Sequence, residues 1–229
     1  PLAAAGAGAV MMNLLSGTLL NFTVPQGGAR SGWDVLTAMV VAAAAAGFGL
    51  LGVFAFRWAH RWAHRLRSPI LFTTLGGALL GLLGVLGGPL TLFKGAEESK
   101  ELLAVGGESF GVLLLLAVVK LAALVVAAAT GFRGGRIFPA VFVGVAFGLA
   151  AAALVPAVPA SVAVSAAVLG LVLAVARDGW VALFIAIVVS GDVTLSAVLC
   201  LAVLPAWLVV TGAPHMLAED DGGGHPAGS

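Results

Sequence analysis

A polar, glycine-rich break near the middle of the chain constrains its fold more than any other stretch. The break runs from Gly131 to Gly144, GFRGGRIFPAVFVG, between the apolar segments Gly111–Thr130 and Ala140–Leu154. No loop between these segments is long enough to leave a bilayer and return. Lipid offers backbone N–H and C=O groups no partners, so non-helical backbone at membrane depth must be buried in protein or line a wet cavity. We therefore expect the function of the chain to reside at the break.

The membrane interpretation rests on composition. Hydrophobic residues make up 61% of the chain and charged residues 9%, and the mean hydropathy is +1.15. In a soluble domain about a quarter of the residues are charged. The chain is therefore predicted to be an integral membrane protein, and its net charge of +1 excludes a generally basic nucleic-acid binder. The lone Cys200 lies in an apolar run and is predicted to be a small buried hydrophobe.

The residues of the break favour an anion site made of backbone. Glycines permit a sharp turn and leave the amides unshielded, and Pro139 suits the first turn of the next helix, where its missing N–H costs nothing. The amides of Arg136, Ile137 and Phe138 would then point out of a helix N-terminus, with the positive end of the helix dipole behind them. The alternative is a tight turn between helices, in which the glycines only allow close packing.

The segment GGRIFPAVFVG resembles the GxFxP motif of the ClC family of chloride channels and chloride-proton antiporters. In that family the helix at the motif contributes backbone amides to the central anion site, and the resemblance places Gly135, Arg136, Ile137, Phe138 and Pro139 at that anion-binding site. Ile137 stands where the family usually has Phe, and Phe138 where it usually has a small residue. The implied contacts are main-chain, so a side-chain exchange leaves the donors in place.

The resemblance covers roughly residues 1–216 and corresponds to the second half of a ClC subunit. It implies an all-α fold, namely a polytopic transmembrane helical bundle with broken or re-entrant helices. It also implies a homodimer in the inner (plasma) membrane, with chloride as the transported ligand and no cofactor. The dimer interface would include the first span and the segments Trp180–Val189 and Val193–Val210. The tail, residues 217–229, is acidic and glycine-rich and is predicted to be disordered.

Hydrophobic segments predict the order of the helices. The first, Pro1–Leu20, lacks an initiating Met and a basic n-region, so the chain is expected to begin inside a larger protein. The stretch Leu90–Gly107 carries too many charges to face lipid and is predicted to be a short helix that caps the outer mouth or enters partway. The remaining predicted helices are Trp33–Phe56, Ile70–Gly88, Phe110–Thr130, Ala140–Leu154, Ser161–Ala176, Trp180–Val189 and Val193–Val210.

A tandem repeat, RWAHRWAH at residues 57–64, follows the span Trp33–Phe56. On a helix its period of four aligns the arginines in one stripe, the tryptophans in a second, and His60 and His64 in a third. The histidine spacing suits metal chelation, but no third ligand is near in sequence. Tryptophans at the headgroup level and snorkelling arginines explain the same residues as an interfacial anchor. With Arg65 and Arg67 this is the densest positive cluster, which predicts a cytoplasmic location.

Basic side chains near the break are candidate electrostatic supports for an anion. Lys120 lies in the middle of an apolar segment, where a lone cation is by default functional or paired. It either attracts the anion or makes a structural salt bridge or carbonyl contact, and the sequence offers no obvious acidic partner. Arg133 would raise the local anion concentration. Upstream, Glu97 and Glu101 share a helix face with Lys100, which is typical of a solvated surface rather than a catalytic pair.

The main functional hypothesis is anion transport by a ClC-like channel or proton-coupled exchanger, with chloride held by helix N-termini so that it can leave as well as enter. One alternative is a membrane scaffold that does not conduct, and another is a secondary transporter of a different small anion. An enzyme is disfavoured, because no residue set has the spacing of a nucleophile, a base or a metal site. The family residues that separate channel from exchanger would lie before Pro1, and the chain has no tyrosine for the central anion.

Overall fold

All the secondary structure of the described residues is helical, which confirms the predicted all-α class. The computed structural model describes residues 11, 32–63, 69–92, 95–132 and 134–214. Short 3-10 turns, Pro89–Thr91 and Val193–Leu195, precede the third and the last of the α-helices in this part of the chain. The α-helices are α1 (Gly32–Ala63), α2 (Pro69–Gly87), α3 (Ala96–Val105), α4 (Phe110–Ala129), α5 (Ile137–Leu154), α6 (Ala160–Ala176), α7 (Gly179–Ser190) and α8 (Ser196–Val210).

The described chain contains five stretches that are long and apolar enough to cross a membrane: α1, α2, α4, α5 and the segment Val193–Val210. Helix α2, with 19 residues, is about 28 Å long at 1.5 Å per residue, close to the roughly 30 Å of a bilayer core. Large apolar side chains such as Val85, Trp180 and Leu208 cover the outside of the bundle. In water this surface would be costly, whereas lipid accommodates it, so the bundle is an integral membrane structure.

Helix α6 forms the centre of the bundle. Its residues from Ser161 to Val175 are all buried, and it packs most extensively against α1 and α5. Gly170 allows this approach, because a Cβ there would collide with the backbone of α1 at Ala42. Gly144 and Gly148 of α5 meet the backbone of α6 in the same way. In lipid the hydrophobic effect does not drive helices together, so the close packing that glycines allow stabilises the bundle instead.

Two neighbouring side chains hold the corner between α6 and α7. Arg177 ends α6 in the left-handed conformation, with a φ of 58°. Its guanidinium donates to the carbonyl oxygens of Val210 and Pro214, the second at 2.7 Å. Asp178 caps α7 by accepting two amide hydrogen bonds from its first turn, at 2.9 and 3.1 Å. The corner therefore ties the end of α6 to the end of α8.

Some sequence predictions fail or lie outside the described residues. Cys200 is exposed on α8, so its predicted burial is wrong. The physical reason is that positions facing lipid are as apolar as the core, and hydrophobicity alone does not separate them. Apart from Met11, the predicted span Pro1–Leu20 lies outside the described residues, as do Arg133 and the tail 217–229. The domain boundary at residue 216 stays a prediction.

Candidate functional site

The break between α4 and α5 has the geometry that its residues predict. Helix α4 ends at Ala129, and Gly131 turns the chain with a φ of 78°. Helix α5 begins at Ile137, and Pro139 lies in its first turn. The first backbone hydrogen bond of α5 runs from the Ala140 N–H to the Arg136 carbonyl, at 3.2 Å. The amides of Arg136, Ile137 and Phe138 precede that bond, and no hydrogen bond joins them to another described group.

The break lies within the depth that α2 crosses. Gly76 of α2 packs directly against the Thr130 side chain, which precedes the break. Eleven residues further along α2, Gly87 contacts Val119, eleven residues before Thr130 on α4, so the two helices run antiparallel. Gly76 is about 10 Å from the start of α2 and about 16 Å from its end, at 1.5 Å per residue. The break that precedes α5 therefore lies at a depth between the two ends of α2 rather than at either end.

A cavity of about 400 Å³ lies between α2, α4 and the break. Gly134, Gly135, Arg136 and Pro139 form one part of its wall, and Lys120 lies on α4 in another part. The structure therefore brings together Lys120 and part of the predicted anion-site sequence. The side chains of Ile137 and Phe138 do not line the cavity and are exposed. Only main-chain contacts were predicted for these two residues.

Lys120 is buried and held by several groups. It is 3% exposed, its Nζ donates to the Thr91 carbonyl at 2.9 Å, and the same atom lies 5.2 Å from the centroid of the Phe142 ring. Glu98 of α3 attracts its charge electrostatically. The contact with the Thr91 carbonyl confirms the second of the two interpretations drawn from the sequence, in which Lys120 makes a structural contact. The sequence offers no obvious acidic partner for Lys120, and the structure supplies the attraction of Glu98 because α3 packs against α5 and carries Glu98 inward.

Glu98 is the residue that sequence reasoning missed. It lies next to Glu97, which is 67% exposed and pairs with Lys100 at 3.2 Å, so the prediction of a solvated face holds for Glu97. Adjacent residues of a helix point about 100° apart, so Glu98 faces the protein and is buried. Glu98, Ser99 and Leu102 are buried and together form the inward face of α3. Their spacing along the sequence, which is that of one helix face, was the available signal.

The start of α3 meets the start of α5. The Gly95 N–H donates to Oε2 of Glu98 at 2.8 Å, so the carboxylate closes the N-terminus of its own helix. Gly95 has a φ of 100°, and a Cβ there would lie 2.9 Å from the Phe138 carbonyl oxygen. Two helix N-termini thus lie in contact, one capped by a side chain and one without a cap among the described groups.

The histidine pair of the RWAHRWAH repeat is only partly described. His60 lies on α1 with its ring 5.4 Å from that of Phe56, centroid to centroid, while His64 lies outside the described residues. The metal alternative for this pair is therefore untested. Arg57 and Arg61 share one side of α1, and Trp58 and Trp62 another, as the period of four predicts, since residues 57–62 continue α1 as regular helix. Arg65 and Arg67 lie outside the described residues.

Residues 1–211 match the family model of the voltage gated chloride channel. The ion-transport candidate YfeO is 48% identical over 219 residues in Escherichia coli (strain K12 / DH10B) and in Shigella boydii serotype 18. Each alignment covers 96% of this chain and 52% of YfeO, so the chain spans about half the length of these curated relatives. The chain belongs to the voltage gated chloride channel family, a family of channels and transporters rather than enzymes. The resemblance inferred from the GxFxP-like motif is thereby confirmed.

Proposed function

We propose that the protein transports a small anion, with chloride as the first candidate, as a ClC-type channel or proton-coupled exchanger. The observation that carries the proposal is the start of α5, whose amides lack an acceptor among the described groups and lie beside a cavity at membrane depth. Amides backed by a helix dipole attract an anion without a full counter-charge. An anion held in this way can also leave, as conduction requires.

The charge of the cavity wall supports an anion over a cation. Its described wall contains two cationic side chains, Lys120 and Arg136, and no Asp or Glu. Lys120 is committed to Thr91, so it contributes positive potential rather than a direct contact. The volume of about 400 Å³ is larger than one chloride, because a single water takes about 30 Å³ of liquid. Size alone therefore admits chloride with several waters, or a larger anion.

We further propose that the protein is a homodimer in the inner membrane of the cell. The support is family membership together with the outward faces of α7 and α8, where Trp180, Phe184 and Leu204 are exposed. These helices are the described part of the interface that the ClC resemblance implies. A protein that stays monomeric in mild detergent and in bilayers would contradict this assembly.

Liposome flux tests the function. The purified full-length protein is reconstituted, and efflux of chloride, nitrate, fluoride and glutamate is measured against protein-free vesicles, with a pH-sensitive dye inside. Chloride efflux above the vesicle background is expected, and coupled proton movement would identify an exchanger. Efflux of glutamate without chloride would identify a transporter of another anion. Folded protein that passes none of the four would leave a non-conducting scaffold as the function.

A further inference from the structure

The last turns of α1 emerge from the bilayer core. Between Asp34 and Arg57 the helix carries 22 uncharged residues. At 1.5 Å per residue they span about 33 Å, which matches a hydrocarbon core of about 30 Å. Trp33, which is 67% exposed, marks one interface. Residues 57–62, which continue the same helix, therefore lie at the headgroup level on the other side.

Four side chains in these turns point away from the bundle. Trp58 and Trp62 are 60% and 56% exposed, and their ring centroids are 5.9 Å apart. Arg57 and Arg61 are exposed as well, and the Arg61 Nε donates to the Arg57 carbonyl at 3.2 Å. Neither arginine takes part in a described salt bridge. The sequence from residue 57 to residue 68 contains no Asp or Glu, so nothing in this segment neutralises them.

This surface fits a phospholipid headgroup better than a soluble anion. Guanidinium groups bind phosphate through two parallel hydrogen bonds. Indole rings prefer the zone where apolar chains give way to polar headgroups. A soluble phosphate would engage the arginines but offers no apolar surface to the two exposed indoles beside them. A lipid presents both its phosphate and its upper acyl chain at this depth.

We propose that residues 57–62 bind an anionic phospholipid, with Arg57 and Arg61 on the headgroup phosphate and Trp58 and Trp62 against the glycerol region and the upper acyl chain. Phosphatidylglycerol is the simplest lipid of this class. Phosphatidylcholine carries the same phosphate, but its choline cancels the charge, so it is the matched control lipid. The cationic surface should therefore bind phosphatidylglycerol in preference to phosphatidylcholine.

Native mass spectrometry of the purified full-length protein, released from micelles that contain both lipids in equal amounts, tests this selection. The protein should retain phosphatidylglycerol in preference to phosphatidylcholine. Each arginine near an anionic surface contributes about fivefold, so Arg57→Gln with Arg61→Gln should reduce the preference about 25-fold. The pair Arg57→Lys and Arg61→Lys keeps both charges and should keep most of the preference.

Lys100→Gln provides the control, since it removes a positive charge from α3, outside this surface, and should leave lipid retention unchanged. Thermal melting in detergent establishes that each variant is folded, which is expected because the substituted side chains are exposed. Equal retention of both lipids by the unmodified protein would overturn the proposal. A double Gln variant that keeps the full preference would overturn it as well, and so would a double Lys variant that loses as much as the Gln pair.

Discussion

Helices α3 and α5 begin in contact with each other, yet their N-termini are completed in opposite ways. At α3 the Glu98 carboxylate accepts the Gly95 N–H at 2.8 Å, and Glu98 is itself attracted to Lys120. At α5 no side chain caps the helix, and the amides of Ile137 and Phe138 find no acceptor among the described groups. One helix start contains its own anionic acceptor, while the first amides of the other have none among the described groups.

This difference locates the candidate site more sharply than the glycine pattern does. A helix start leaves amide donors that need an acceptor from a side chain, water or a ligand. Pro139 removes one donor from α5, and the cavity beside the break has room for an external acceptor. At α3 the acceptor is covalently part of the helix, so an added anion would be repelled. The comparison therefore favours α5 over α3 as the candidate anion site.

Among the substitutions that test this difference between the two helix starts, Lys120→Met should have the largest effect on stability. It removes the charged donor to the buried Thr91 carbonyl, for which we expect a loss of about 3 kcal/mol in stability, read from thermal unfolding in detergent, and it also removes the charge that Glu98 attracts. The double variant Lys120→Met with Glu98→Gln should recover part of that loss, because the two side chains are coupled. Additive losses from the two substitutions would contradict the coupling.

Gly95→Ala should disturb both helix starts at once. The residue has a φ of 100°, and a Cβ would press on the Phe138 carbonyl oxygen, so the substitution should cost about 2 kcal/mol and reduce chloride flux by displacing the first turn of α5. Gly106→Ala is the control. Gly106 also has a positive φ, of 54°, but open space around it, so flux should be kept. Equal flux loss in both variants would mean that backbone strain alone, and not the contact with α5, explains the effect.

Arg136→Gln should have the smallest effect. It separates a long-range electrostatic influence of Arg136 on the anion from direct binding of the anion by its guanidinium. Arg136 lines the cavity, so its charge should raise the local anion concentration and its loss should lower chloride flux about two- to fivefold at low salt. The difference should fade as salt rises, because charges are screened within about 8 Å at physiological ionic strength. Lys100→Gln, of equal charge change, should have no effect. A loss that persists unchanged at high salt would indicate direct ligation by the guanidinium.

The sequence predicted the helices well, because each break between them carries glycine, proline or charge. The open helix start at Ile137 also followed from local residues alone. The sequence could not show that Glu98 attracts Lys120, because that interaction depends on how α3 packs against α5. The wrong prediction that Cys200 is buried has a second cause. In lipid, both faces of a helix are apolar, so composition does not say which face points inward.

The most direct test removes the Ile137 amide itself. Replacing Ile137 by the corresponding α-hydroxy acid turns the N–H into an ester oxygen and keeps the side chain. A proline would remove the same donor but would push Arg136 out of its helical conformation, with φ −87° and ψ −19°. The same ester at Phe110, the first residue of α4, is the matched control, and Ile137→Val keeps the amide.

Isothermal titration of chloride, on protein shown to be folded, measures the outcome. A hydrogen bond to a charged group contributes about 1.5 to 3 kcal/mol, so the ester at Ile137 should weaken chloride binding about 10- to 100-fold. The ester at Phe110 and Ile137→Val should leave binding unchanged. Unchanged chloride affinity in the Ile137 ester would contradict the account, because the break between α4 and α5 would then be a packing turn and not an anion site.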